Sequence, residues 1–173
     1  MTDPLPYLDP FDDGRSPARA ATGMDEASSL IDAVFRFERA VSRIGNARLR
    51  PWNMTLSSYT ALRILANRPH LTLAQLSRRC YARPQTMTRI VAQMEKRGFV
   101  ARSAHPESER ALSLEVTAAG LAALEEMGAE VLRISDTLGA VLGREEIVAA
   151  DQQLRRAALV VEGELREMER GGE

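Results

Sequence analysis

Residues 71–120 read LTLAQLSRRCYARPQTMTRIVAQMEKRGFVARSAHPESERALSLEVTAAG, and this stretch decides the fold. It opens on a marked helix start: Thr72 and Gln75 form a T-x-x-Q capping box, and Leu71 and Leu76 hold the two positions of a hydrophobic staple. The helix that follows reaches Arg79 or Cys80, and then a turn intervenes. Pro84 stands where the first residue of the next helix belongs, because its missing N–H costs nothing there. In that helix Met87, Ile90, Val91 and Met94 recur at inward-facing spacing, while Gln85, Arg89, Ala92 and Lys96 fall on another face. Gly98 supplies the stop. Phe99–Arg102 and Ala111–Val116 then read as short strands, and Leu112, Leu114 and Val116 alternate with Ser113 and Glu115, which predicts one buried face. The connection SAHPESER is too long for a two-residue hairpin and predicts an exposed wing loop. Short helix, turn, basic helix and two-stranded wing, in that order, predict a winged helix-turn-helix.

Upstream, Leu30, Val34, Phe37, Val41 and Ile44 make an apolar seam on a helix from about Asp25 to Leu49, which Arg50-Pro51 ends. A second helix starts near Thr55 or Ser57, runs through Tyr59, Leu62, Ile64 and Leu65 to Ala66, and closes at Asn67-Arg68-Pro69. Downstream, Thr117 caps a long helix with Leu121, Leu124, Met127, Val131, Ile134 and Leu138 on its stripe. Gly139 and Gly143 interrupt the pattern before a last helix carrying Ile147, Ala150, Leu154, Val161, Leu165 and Met168. The first helix and the last two carry stripes longer than a small winged-helix core can cover, and such stripes meet partner helices. The chain therefore divides into an irregular arm (1–23), a dimerisation helix with its connection (24–54), the winged helix-turn-helix (55–117) and C-terminal dimerisation helices (118–173). In the arm, Tyr7, Leu8 and Phe11 either anchor it to a neighbouring surface or leave it disordered. The fold class is mainly α with a small β-hairpin wing.

The net charge of −1 conceals a division along the chain. Between Arg63 and Arg102 nine basic residues face one acid, Glu95, whereas from Leu142 to Glu173 eight acids outnumber five bases. A basic middle with acidic flanks suits a local polyanion surface; a solvated helical face is the alternative. One cysteine, Cys80, and two distant histidines, His70 and His105, build neither a disulfide nor a metal site, so no cofactor is expected. The N-terminus has no secretory pattern and no apolar run is of membrane-spanning length, so the expected compartment is the cytoplasm. With no Gly-rich phosphate loop and no nucleophile–base pair, an enzyme is not expected.

In a helix-turn-helix the second helix enters the major groove N-terminus first, which places Arg83, Gln85, Thr86, Thr88 and Arg89 at the bases. Arg pairs bidentately with guanine and Gln with adenine, and Thr offers a hydroxyl or a methyl. His105 and Arg110 in the wing reach an adjacent minor groove or its phosphates, and Arg78, Arg79, Lys96 and Arg97 suit phosphates. On LTLAQLSRR, RPQTMTRIVAQMEKRGFV and SERALSLEVTAAG the sequence resembles the MarR-type transcriptional regulators, densely over residues 55–120 and loosely over 24–168. The resemblance implies an obligate dimer with interlocking terminal helices on a pseudo-palindromic operator. It also implies a repressor released by a small phenolic or lipophilic ligand or by thiol oxidation. The chain departs from the family pattern at Arg83 (usually a small capping residue), Tyr81 (usually glycine) and Ser108 (usually an Asp that orients the wing arginine, here Arg110). Glu107 or Glu109 can substitute for that Asp. Trp52 and Tyr59, with Phe37 and Arg63, fall where a ligand pocket between dimer helices and winged helix is expected, or else belong to the core. Cys80 aligns with a buried apolar position and reads as structural rather than redox-active. The other reading of the whole chain is a winged-helix module for protein contact or dimerisation without DNA binding.

Overall fold

The computed structural model describes residues 26–105 and 108–171; for His105 and residues 108–111 it describes the backbone alone. The arm at 1–23, with Tyr7, Leu8 and Phe11, lies outside the described residues, as do Glu107 and the side chains of His105, Ser108, Glu109 and Arg110. The chain runs α1 (Glu26–Arg48), a 3-10 turn (Arg50–Trp52), α2 (Leu56–Asn67), α3 (Leu73–Arg79), α4 (Pro84–Lys96), β1 (Val100–His105), β2 (Ser108–Val116), α5 (Ala118–Gly139) and α6 (Arg144–Gly171).

Three threonines set the helix starts. Thr55 accepts from the Ser58 amide at 3.1 Å and Thr117 from the Gly120 amide at 3.0 Å. Thr72 forms the full capping box, accepting from the Gln75 amide at 3.3 Å while its own amide donates to Gln75 Oε1 at 2.8 Å. Each such cap stabilises by about 1 kcal/mol. The inward faces then meet in one core, where Leu49, Leu62, Leu65, Leu76, Met87, Val91, Met94, Leu114 and Met127 are fully buried. That core lies beneath α2, α3 and α4 and is closed by β2 and the first half of α5.

The wing departs from its reading in two ways. Its strands are longer: β1 extends to His105 and β2 begins at Ser108, so six of the eight residues of SAHPESER lie in strand rather than loop. Pairing is antiparallel, from Val100 opposite Val116 to Ala104 opposite Leu112, with a register shift before His105 opposite Ser108. Strands pair through their backbone, so polar side chains in this stretch marked no boundary. The second correction concerns the buried face. Leu114 is buried and joined by Leu71, whose carbonyl accepts from the Leu114 amide at 2.9 Å, but Leu112 is 56% exposed and Ser113 is fully buried. Ser113 is satisfied there because its hydroxyl lies 2.9 Å from that of Ser103, which in turn donates to Glu115 at 2.6 Å.

The outer helices are bare. Among the residues of α6 none is buried, and Leu154, Val161, Leu165 and Met168 all stand exposed, as do Leu30, Val34 and Phe37 on α1. No described helix is long and apolar enough to cross a membrane.

Candidate nucleic-acid interface

Helix α4 divides cleanly between its two faces. Met87, Ile90, Val91 and Met94 are buried, and Gln85, Thr86, Thr88, Arg89, Ala92 and Lys96 are exposed. Arg83, Gln85, Thr86 and Arg89 make no side-chain hydrogen bond or ion pair with any described residue. Their donors and acceptors are therefore available to an external partner. Thr88 differs: its hydroxyl donates to the Pro84 carbonyl at 2.9 Å, which leaves its methyl group and oxygen lone pairs facing outward. Arg83 occupies the N-cap with φ −63° and ψ 144° but makes no capping bond, so the helix start rests on Pro84 and the guanidinium has no partner among the described residues.

Pairings between elements are what the sequence did not reveal. Glu95, the lone acid of the basic segment, takes Arg102 in a bidentate pair at 2.8 and 3.3 Å, which neutralises both and fixes β1 to α4. Gln93 Nε2 donates to the Asn53 carbonyl at 2.6 Å and ties α4 to the loop before α2. Lys96 and Arg97 remain exposed at the C-terminal end of α4. Tyr81, in the turn before α4, has φ +50° and a ring that is 84% exposed. Cys80 beside it is half-buried, and that burial pushes its thiol above the ordinary cysteine range, away from the reactive thiolate.

At the junction of α1, α2 and α5, Tyr59 is buried and the Arg63 guanidinium lies 5.9 Å from its ring centroid, a cation–π distance. Trp52 Nε1 donates to Glu126 on α5 at 3.0 Å. Phe37 stands half-exposed on α1. The structure thus brings Tyr59 and Arg63 together and moors Trp52 to α5. Arg48 was not anticipated: its Nη1 pairs with Glu130 at 3.1 Å, one turn along α5 from Glu126, while its Nε–H is buried without a partner among the described residues.

A buried helix-turn-helix core, an outward helix face whose Arg83, Gln85, Thr86 and Arg89 side chains have no partner among the described residues, and an attached two-stranded ribbon define a winged helix-turn-helix protein. Residues 54–112 match the MarR family. Over 114 residues, 66% of this chain and 81% of the relative, the sequence is 36% identical to the HTH-type transcriptional repressor Rv2887 of Mycobacterium tuberculosis. The crystal structure of Rv2887 in complex with salicylic acid is similar at a TM-score of 0.60 and 27% identity, covering 78% of this chain and 96% of that one. A mutant of E. coli MarR complexed with operator DNA shares the fold at a TM-score of 0.68 and 19% identity, over 78% of this chain and 99% of that chain. The chain belongs to the MarR family of transcriptional regulators; it is not an enzyme.

Proposed function

We propose that this protein is a dimeric, sequence-specific DNA-binding repressor of the cytoplasm, released from a pseudo-palindromic operator by a small phenolic or lipophilic effector. The observation that carries the reading is the two-faced α4, whose apolar side is consumed by the core while Arg83, Gln85, Thr86 and Arg89 are left without partners among the described residues. Gln85, Thr86, Thr88 and Arg89 read base edges in the major groove, Arg83 takes a base or the phosphate beside it, and Lys96 takes a phosphate. In the wing, His105 and Arg110 serve the adjacent minor groove. Residues 55–117 act as the DNA-binding unit, and residues 24–54 and 118–173 as the dimerisation layer.

The effector seat is the α1–α5 junction, lined by Trp52, Tyr59, Arg63 and Phe37. Salicylic acid bound to Rv2887 supports an aromatic acid as the ligand class.

The test is a mobility shift on the DNA upstream of the protein's own gene. A salt-sensitive shift that resists non-specific competitor, and that millimolar salicylate lifts, is expected. Arg89→Ala should relax base preference by roughly 1–3 kcal/mol at one position per half-site, whereas Lys96→Ala should weaken binding to all sequences alike and lower the salt slope by about 1. A shift abolished by any duplex competitor would sink the reading.

A further inference from the structure

The helix-turn-helix elbow carries a feature that the base-reading face does not use. The last turn of α2, the last turn of α3 and the turn residue Tyr81 border an open cleft of about 390 Å³ lined by Ile64, Arg68, Arg78, Arg79 and Tyr81. Ile64 is half-buried at its floor, and the other four are exposed. None of the three arginines forms an ion pair with a described residue, and no carboxylate is among the described residues that line the cleft. A small-molecule site encloses most of its ligand. This cleft is open rather than enclosing, and around Ile64 and the Tyr81 ring it presents three guanidiniums without ion-pair partners among the described residues, a lining suited to a polyanion that passes across it.

Its position says which polyanion. Tyr81 stands three residues before Pro84, so the cleft abuts the end of α4 that carries Arg83, Gln85 and Thr86. In a docked helix-turn-helix, the first helix of the motif crosses the sugar-phosphate backbone beside the groove that the second helix reads. We infer that Arg68, Arg78, Arg79 and Tyr81 form a second, sequence-blind DNA seat that grips the backbone flanking the base-read groove and lengthens each half-site footprint. The inference rests on the DNA-binding reading above. In this seat the guanidiniums take successive phosphates, and the Tyr81 ring, held outward by its left-handed backbone, lies against the intervening sugar.

The experiment uses the full-length protein and two duplexes, one enriched from a randomised library and one of arbitrary sequence. Affinities are measured across a salt series for the wild type and for the triple variant Arg68→Gln/Arg78→Gln/Arg79→Gln. Since the three side chains are exposed, the urea midpoint should be unchanged, which separates binding from folding. The triple variant should bind both duplexes roughly 10- to 100-fold more weakly, with a salt slope flatter by about 2–3 and the ranking of point-mutated operators preserved. Hydroxyl-radical protection should be lost only at the outer edges of the footprint. A salt slope equal to that of the wild type, or a reordered base preference, overturns the seat while the regulator reading stands. Sodium benzoate retained by the wild type but not by the triple variant, with the DNA slope unaltered, would make the cleft a small-acid site and likewise overturn it. If the wild type enriches no duplex, both readings fall together.

Discussion

At the residue scale, Tyr81 and Gly98 answer the same geometric demand with different side chains. Each follows a helix end in which one amide reaches back to close the last turn and the next reaches one residue further. Tyr81 N bonds the Arg78 carbonyl at 3.2 Å and Ala82 N the Ser77 carbonyl at 3.1 Å; Gly98 N bonds Glu95 at 2.8 Å and Phe99 N bonds Met94 at 3.0 Å. Both are Schellman closures, which require a left-handed residue, and φ is +50° at Tyr81 and +69° at Gly98. The sequence has a tyrosine where the family pattern has glycine. The turn kept its shape and the ring went to the surface. Ser77 reinforces the turn by donating to the Ala82 carbonyl at 2.6 Å. A non-glycine residue in this region costs about 1–2 kcal/mol. Tyr81→Gly should therefore raise the urea-unfolding free energy by about 1 kcal/mol, less than the full cost because glycine gains freedom in the unfolded chain. A drop in stability would mean that the exposed ring contributes packing that outweighs its strained backbone.

At the element scale, the wing is held to the helices through its base, where Thr117 works twice. Its amide bonds the Phe99 carbonyl at 3.0 Å, and its hydroxyl links the Gly98 carbonyl to the Gly120 amide. This draws the first turn of α5 so close that a Cβ on Gly120 would meet the Phe99 carbonyl oxygen and lie 2.8 Å from Val116 Cγ1. Gly120→Ala should consequently cost about 1–3 kcal/mol, read as a lower thermal midpoint. A midpoint equal to the wild type would show that the joint yields without penalty. The same joint shows where sequence reading succeeds and where it stops. The helix ends near Thr55, Thr72, Pro84, Gly98 and Thr117 were legible because caps and stops are local chemistry. The outer face of α4 was legible because its periodicity is set by burial of the other face. By contrast, the Arg102–Glu95 pair, the Gln93 bond to Asn53 and the Arg48–Glu130 link join residues from different elements, and no local pattern announces them. Ser113 shows the same limit, since alternation assigns the buried face by hydrophobicity and cannot foresee a hydroxyl made burial-tolerant by Ser103 across the ribbon.

At the scale of the whole molecule, the winged helix is self-sufficient and the outer helices are not. Helix α6 has 28 residues and none buried, with Leu154 41%, Val161 66%, Leu165 54% and Met168 68% exposed along one side. A helix with so little tertiary support gains stability only by laying that side against another apolar surface. The matching bare seam on α1, through Leu30, Val34 and Phe37, supports the proposal that a second copy of the chain is the cover. Dimerisation then bears on DNA binding by arithmetic rather than by contact. In the proposed dimer, two α4 helices on half-sites one helical turn apart, about 34–36 Å, would bind with the second contact made intramolecular. Introducing charge into the seam through Leu154→Glu and Leu165→Glu should yield a monomer in sedimentation velocity at micromolar concentration. Its thermal midpoint should fall, and the concentration dependence expected of an assembly should vanish. Operator affinity should drop at least 100-fold, since avidity of this kind contributes factors of about 10²–10⁴. Affinity for a single half-site duplex should change far less, because α4 and its core lie outside the altered helix. If the double variant remained dimeric, the seam on α6 would not be the assembly surface, and the exposed residues of α1 would have to supply it alone.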